Sequence, residues 1–315
     1  MAITLHDLAQ ACSCNVSTVS RALRGDVRIS PDVRTKITNE AARQGYRPNL
    51  TARSLVNGRS GTIWFVVGSL ESPIDHLPAE AASRLCQEHG RDLLVAAHHG
   101  DQIGHQRILG RLRQGLADGA IIAVTLPDQN SAELRDLAAS GFPLVFIDRH
   151  VPGIVAPVAT TDHKAVCQRV VSALATKGIT DVANLHPAGM NSVEDARRRA
   201  LDQAMADAGL RRWLTGRTAS RPIGVVASAW SHFDAWRNEY GALPPGSLLV
   251  VYDQITGDPP AGCGLIVVKQ DFAGMAAAAW ALLQDRLDGA PASRIHRRIP
   301  PLELHYVPKP VLIAK

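Results

Sequence analysis

Through the first sixty residues, hydrophobic positions recur at helical spacing; after that they gather into continuous apolar runs. Leu5, Leu8 and Ala9 share one face, which predicts a helix over residues 5–11 with Thr4 as its N-cap and Asp7 at its positive end. Ser13-Cys14 makes a tight connection. Asn15 is placed to cap a second helix over residues 16–23, which Gly25 stops. Ser30-Pro31 opens a third, because proline suits the first helical position; it runs to about Gln44, and Gly45 ends it. Tyr46-Arg47-Pro48 breaks the pattern. Asn49 begins a fourth, short helix to about Val56, and Asn57-Gly58-Arg59-Ser60-Gly61 reads as a flexible connector.

From Thr62 the texture is β-rich. Apolar runs at 62–68, 92–97, 120–125, 144–148, 181–185, 223–227, 248–252 and 265–268 predict strands. Amphipathic stretches at 106–116, 163–175, 193–208 and 272–287 predict helices between them. Continuous Val/Ile/Leu strands alternating with helices imply a parallel sheet covered on both faces. This many strands points to two doubly wound subdomains with a cleft between them.

Charge sharpens the division. Residues 1–60 carry nine Arg/Lys against four acids, which is the whole formal excess of +5, so the rest of the chain balances to zero. A basic module on a neutral body suggests a polyanion partner for the module alone, although a solvated basic face would give the same count. The five cysteines (12, 14, 86, 167 and 263) are scattered and odd in number, which suits a reducing compartment better than a disulfide framework. No signal peptide opens the chain, and no apolar run approaches the ~20 residues of a membrane span. A cytoplasmic protein without membrane contact is the expectation.

Helix, short turn, helix is the helix-turn-helix pattern, with a generic helical hairpin as its plain alternative. In that pattern the second helix enters the major groove. Val16 and Ser17 would face base edges, with Arg21 one turn later. Arg can hold guanine bidentately, whereas Val touches only a thymine methyl. Cys12-x-Cys14 with His6 falls short of the four ligands of a closed metal site and reads as core packing. His98-His99 reads as a strand end near the cleft. Neither a phosphate-binding Gly pattern nor a Gly-x-Ser-x-Gly elbow is found, so no cofactor and no enzyme activity are expected.

Several segments together closely resemble the LacI/GalR family of repressors: Thr4-Leu5-His6-Asp7-Leu8-Ala9, Ser17-Thr18-Val19-Ser20-Arg21-Ala22-Leu23, Gly45-Tyr46-Arg47-Pro48-Asn49 and Ala52-Arg53-Ser54-Leu55. Order and spacing match over residues 3–60. Farther on, Phe146-Ile147-Asp148-Arg149, Tyr252-Asp253 and Lys269-Gln270 follow in the family's order. The resemblance implies that Val16, Ser17 and Arg21 read the major groove. It implies that Leu55, with Ala52 and Arg53 beside it, enters the minor groove from a hinge helix and kinks the duplex. Thr4, Asn15, Tyr46 and Asn49 take the phosphate-positioning places. A hinge helix of two turns is unstable alone, so it would form only beside its dimer mate on DNA.

For the larger part the resemblance implies a periplasmic-binding-protein-like domain, with effector held at the carboxyl ends of strands. Arg197 and Asp253 match ligand-holding positions, and Asp75 and Arg149 match more loosely. Three departures stand out. Only Arg211–Pro222 fills the place of a β-α unit, so the second subdomain is shortened. Ala229-Trp230 replaces the Asn-Asp that relatives carry after the strand at 223–227. The turn reads Ser13-Cys14-Asn15 in place of Gly-Val-Ser. An unusual effector, or a poorly responsive domain, is expected.

The expected organisation is an all-α helix-turn-helix domain (1–48), a hinge helix and linker (49–61) and an α/β effector-binding and dimerisation domain (62–315). The last divides into an N-subdomain (62–160 plus 291–315) and a C-subdomain (161–290) of doubly wound parallel sheet. The expected partners are a pseudopalindromic double-stranded DNA operator, a second copy of the chain and a small-molecule effector. A sugar or sugar derivative leads as effector; a purine or nucleoside, or no effector, is the alternative. A sugar-binding protein without a DNA role and an α/β enzyme are the rivals of other classes.

Overall fold

The structure, a computed structural model, describes residues 3–47, 58–124, 131–213 and 219–307. The chain divides into two compact units, Met1–Ser60 and Gly61–Lys315. The predicted hinge helix, with Asn49, Ala52, Arg53 and Leu55, lies outside the described residues. No helix among them is long and apolar enough to cross a membrane.

Three helices form the first unit: α1 (Leu5–Cys12), α2 (Val16–Leu23) and α3 (Pro31–Arg43). A reciprocal capping box starts α1. The Thr4 hydroxyl accepts from the Asp7 amide at 3.3 Å, and the Asp7 carboxylate accepts from the Thr4 amide at 2.8 Å. Ser13, at φ 53°, ends α1 in the left-handed region. Asn15 precedes α2 with extended backbone, but its side chain makes no capping hydrogen bond, nor does Ser30 before α3. Both residues are exposed, so solvent serves the first-turn amides instead. Leu8, Val19 and Ile37 are fully buried at the centre, with Cys12, Ala22 and Ala41 around them.

The second unit holds two six-stranded sheets. The first is ordered β11-β5-β4-β3-β1-β2 and is parallel throughout. Its strands are β1 (Thr62–Val67), β2 (Asp92–Ala97), β3 (Gly119–Ile122), β4 (Leu144–Ile147), β5 (Val158–Thr161) and β11 (His296–Ile299). The second is ordered β12-β10-β9-β8-β6-β7, from β6 (Asp181–Asn184), β7 (Arg211–Arg212), β8 (Gly224–Ala227), β9 (Leu248–Tyr252), β10 (Gly264–Lys269) and β12 (Glu303–Val307). Only the β10–β12 pairing is antiparallel. Helices α4 (Pro73–Glu88), α5 (Gln102–Arg113), α6 (Ser131–Ala139), α7 (His163–Thr176), α8 (Ser192–Asp207), α9 (Trp230–Tyr240) and α10 (Phe272–Leu287) cover the faces. The alternation of β1 shows why an unbroken apolar run is needed: Ile63, Phe65 and Val67 enter one core, while Trp64 and Val66 enter the core on the opposite face.

The subdomain boundaries differ from those expected. Helix α10 packs on the first sheet, where Phe272, Met275, Trp280 and Leu283 join Phe65, Ile121 and Val145. It therefore belongs to the N-subdomain rather than to residues 161–290. Strand β12 pairs with β10 and so belongs to the second sheet rather than to the 291–315 segment of the first. The cause is that the chain passes between sheets three times, after β5, β10 and β11. The passing segments are bonded to one another. The buried Thr161 hydroxyl donates to Gln270 Oε1 at 2.7 Å, and the Asp162 amide to the Ile299 carbonyl at 2.8 Å.

The shortening of the second subdomain takes a specific form. The edge strand survives as the two-residue β7, paired in parallel with β6. No helix is found among the described residues between Arg212 and Gly224. Trp213, just past β7, packs edge-on against Trp236 (5.5 Å) and Tyr240 (5.2 Å) of α9.

Candidate functional site

Helix α2 turns Val19 and Ala22 into the core and leaves Val16, Ser17 and Arg21 exposed. Val16 is 40% exposed. Three of the four acids of this unit are engaged locally, while Asp32 is exposed and enters no ion pair among the described residues. Asp26 is held by the Arg28 guanidinium at 2.7 Å, which lowers its pKa strongly. Glu40 accepts from Arg43 and Gln44, which hold its pKa down to about 2. Asp7 is spent on the capping box. Arg21, Arg24 and Arg47 are exposed and enter no ion pair among the described residues. The module therefore presents uncompensated cations, Arg21 on α2 itself and Arg24 just past its end. Asn15 is exposed at the start of α2, Thr4 is exposed before α1, and Tyr46 is half-buried. Cys12 is buried, and burial pushes its thiol up.

In the larger unit, β4 and β9 end alike. Asp148 and Asp253 both take left-handed backbone, at φ 60° and 57°. An aspartate tolerates that region better than most side chains, and it turns each carboxylate off the strand end. The Asp253 carboxylate accepts from the Gln270 amide (3.2 Å) and side chain (2.6 Å). Burial nevertheless raises its pKa, against the pull of Arg197 and Gln270. Arg197 lies in α8 at 4% exposure, its guanidinium 3.8 Å above the Tyr252 ring and 3.8 Å from Glu194. Burial opposes its charge, but Tyr252, Glu194, Asp148 and Asp253 outweigh that and hold its pKa above the ordinary value.

The four predicted effector residues do not share one cavity. Asp75 and Arg149 line a cavity of about 490 Å³ with Ser69, Ser72 and His99. The Asp75 carboxylate accepts from the Ser69 amide at 3.2 Å, and burial raises its pKa. Asp253 lines a second cavity of about 740 Å³ with Gln254, Lys269 and Gln270. Arg197 is covered by Tyr252 but reaches Asp253 and Asp148 through its field. Asp148, Glu194, Tyr252 and His163 are all buried around this arginine; the sequence offers Asp148 and Tyr252 only as parts of family-like segments, with no site role, and no sign of Glu194 or His163. The Tyr252 stack carried no signal there, because aromatic residues in strands usually mean core. His99 lines the Asp75 cavity, while His98 is buried against His105, with ring centroids 4.5 Å apart. After β8 the first residue is Ser228, whose hydroxyl bonds His232 at 2.7 Å, so a polar group stands at that strand end ahead of Ala229-Trp230. No group of three or more metal-ligating side chains is found among the described residues.

Comparison with known proteins places both units. Residues 4–49 match the family model of bacterial regulatory proteins of the lacI family. Residues 60–229 match that of periplasmic binding proteins and the sugar-binding domain of the LacI family. The HTH-type transcriptional regulator KdgR of Bacillus subtilis is 29% identical over 205 residues, 64% of this chain and 60% of that protein. The regulator DegA of the same organism is 26% identical over 211 residues, and the match spans 63% of its length. The regulator PtxS of Pseudomonas plecoglossicida is 26% identical over 319 residues, 94% of this chain and 93% of that protein. Among solved structures, a lac repressor dimer bound to operator and the anti-inducer ONPF superposes with a TM-score of 0.75 at 19% identity, covering 97% of this chain and 98% of that one. A complex of the regulator CelR with cellobiose gives 0.62 at 19% identity, covering 98% and 99%. With a helix-turn-helix unit, two doubly wound parallel sheets and family models matched in both, the chain belongs to the LacI family of bacterial regulatory proteins.

Proposed function

We propose that the chain is a DNA-binding transcriptional repressor that works as a homodimer and is released or engaged by a small molecule, a sugar or sugar derivative. The observation that carries this reading is the open face of α2, where Val16, Ser17 and Arg21 are exposed amid unpaired cations. In this reading those three side chains read the major groove, and Thr4, Asn15, Tyr46 and Asn49 position phosphates. Ala52, Arg53 and Leu55 face the minor groove at the centre of a pseudopalindrome, where two leucines unstack one base step. Pairing of two copies is supported by the edge strand β2, which leaves Leu94 and Val95 exposed.

The effector sits at the strand ends marked by Asp148 and Asp253, with Arg197, Asp75 and Arg149 nearby. A ligand gripped by both subdomains favours one relative orientation of them. Effector and operator affinities are then coupled reciprocally. Selection of binding sites from random duplexes tests the readout. Replacing Val16 and Ser17 should change the preferred sequence, and an unaltered preference would remove them as base readers. Leu55→Ala should reduce both operator bending and affinity; if neither moves, the wedge is wrong. Binding that is equal on random and selected duplexes would overturn the reading as a whole.

A further inference from the structure

A third cavity, about 360 Å³, lies between the subdomains. The first subdomain supplies Asp148 and His150 after β4, Thr160 and Thr161 of β5, and His296 and Arg298 of β11. The second supplies the opening turns of α7 and α8 together with Ala196, Arg199 and Ala200. Its volume suits a small metabolite.

The lining is cationic and unspent. Lys164, Arg199 and Arg298 enter no ion pair among the described residues. Two acids also stand on the wall: Asp162 caps α7 by accepting from the Ala165 amide at 3.1 Å, and Asp148 has one oxygen 3.6 Å from Arg149 and its other buried oxygen without a hydrogen bond, a place for a ligand hydroxyl rather than for the anionic group. At the base lies His163, only 6% exposed, with neither ring nitrogen hydrogen-bonded. A buried imidazole without a partner on either nitrogen is costly, and a ligand atom in the cavity would remove that cost. The positive ends of α7 and α8 face the same space, which adds to its attraction for negative charge. Val193, Ala196 and Ala200 give one apolar wall for a carbon skeleton.

We propose that this cavity seats an anionic group, the phosphate or carboxylate of the effector, so that the effector is an acidic sugar derivative rather than a neutral sugar. The proposal rests on the reading of the unit as an effector-binding domain. It also assigns a mechanical role to the charges. Arg298 belongs to the first subdomain, and Lys164 and Arg199 to the second. Empty, they repel across the cavity; an anion between them attracts both sides, so binding draws the subdomains together.

The test is thermal shift and calorimetry on the full chain at constant ionic strength. The probes are inorganic phosphate, D-gluconate, D-glucose 6-phosphate and D-glucose, each at millimolar concentration. Phosphate should raise the melting temperature, and whichever of gluconate and glucose 6-phosphate binds more tightly identifies carboxylate or phosphate as the group seated. Arg298→Ala and Lys164→Ala should each weaken that binding roughly tenfold to a hundredfold, the loss of one charge-assisted contact. Arg107→Ala, an exposed cation on α5, should leave it unchanged. Both altered cations are exposed, so the fold survives the change. Equal binding by the parent and both variants means an adventitious ion only and overturns the proposal. Silence of all three anions also overturns it. If glucose then binds, the neutral-sugar reading of the domain stands; if glucose is silent as well, that reading loses its support too.

Discussion

Replacing Arg197 by Met tests the electrostatic centre of the larger unit. Methionine keeps the aliphatic stem against the Tyr252 ring and removes the charge. The guanidinium it replaces stands 3.8 Å from both that ring and the Glu194 carboxylate, with side chains 4% and 9% exposed. Without it, Glu194 is a buried carboxylate with no counter-charge, and Asp148 and Asp253 lose a neighbouring cation. Breaking a buried pair from one side costs about 3–5 kcal/mol, and the lost cation–π contact lies within that figure. At about 2–4 °C per kcal/mol for a unit of this size, the melting temperature should fall by about 6–20 °C. Thermal unfolding followed by circular dichroism reads this directly. Adding Glu194→Gln to Arg197→Met should recover more than half of the loss, because the stranded charge is removed with its partner. A loss below about 1 kcal/mol, or a double variant no more stable than the single, would refute the account of Arg197 as a buried, paired cation.

Other outcomes follow from particular contacts. Thr4→Ala removes one half of the capping box and should destabilise the first unit by about 1 kcal/mol, measured by urea titration of the full chain. Burial lowers the pKa of His105 to about 4. Its contribution is complete above the unfolded value near 6.5 and declines as pH falls toward 4, by about 3 kcal/mol at most. His105→Phe should therefore flatten the fall in melting temperature between about pH 7 and pH 5. Gly224→Ala places a Cβ 2.5 Å from Leu174 Cδ2 inside a filled core. A loss of about 1–3 kcal/mol is expected by denaturant titration, and none would mean that Leu174 has room to move.

The parts of the fold legible in the sequence were those written in side-chain pattern. The apolar runs at Thr62–Val67 and Leu248–Tyr252 are strands because both their faces are covered. β11 escaped notice because His-Arg-Arg-Ile carries no apolar run; it is an exposed edge strand held by backbone pairing to β5. β5 is four residues long, and β7 only two. Which sheet α10 serves was illegible for another reason: an apolar helix states that it is buried, not against what. For the candidate site, a family pattern points to Asp253 and Arg197 by position alone. Their surroundings are not legible in the sequence, since the Tyr252 stack and the unbonded His163 arise only from tertiary packing. The capping role expected of Asn15 failed because a competent residue type does not oblige its side chain to turn inward.

The three passages of the chain between sheets also constrain its synthesis. β1, β3, β4 and β5 leave the ribosome early, yet their shared core lacks α10 until residue 287, and the sheet lacks its β11 edge until residue 299. At typical elongation rates the interval after β5 is on the order of 10 s. During that time the second sheet, apart from β12, has emerged in full. The half begun first thus waits for its last helix and edge strand until nearly all of the other half has emerged, and for that interval its nascent strands expose a wide apolar surface, the kind that chaperones hold.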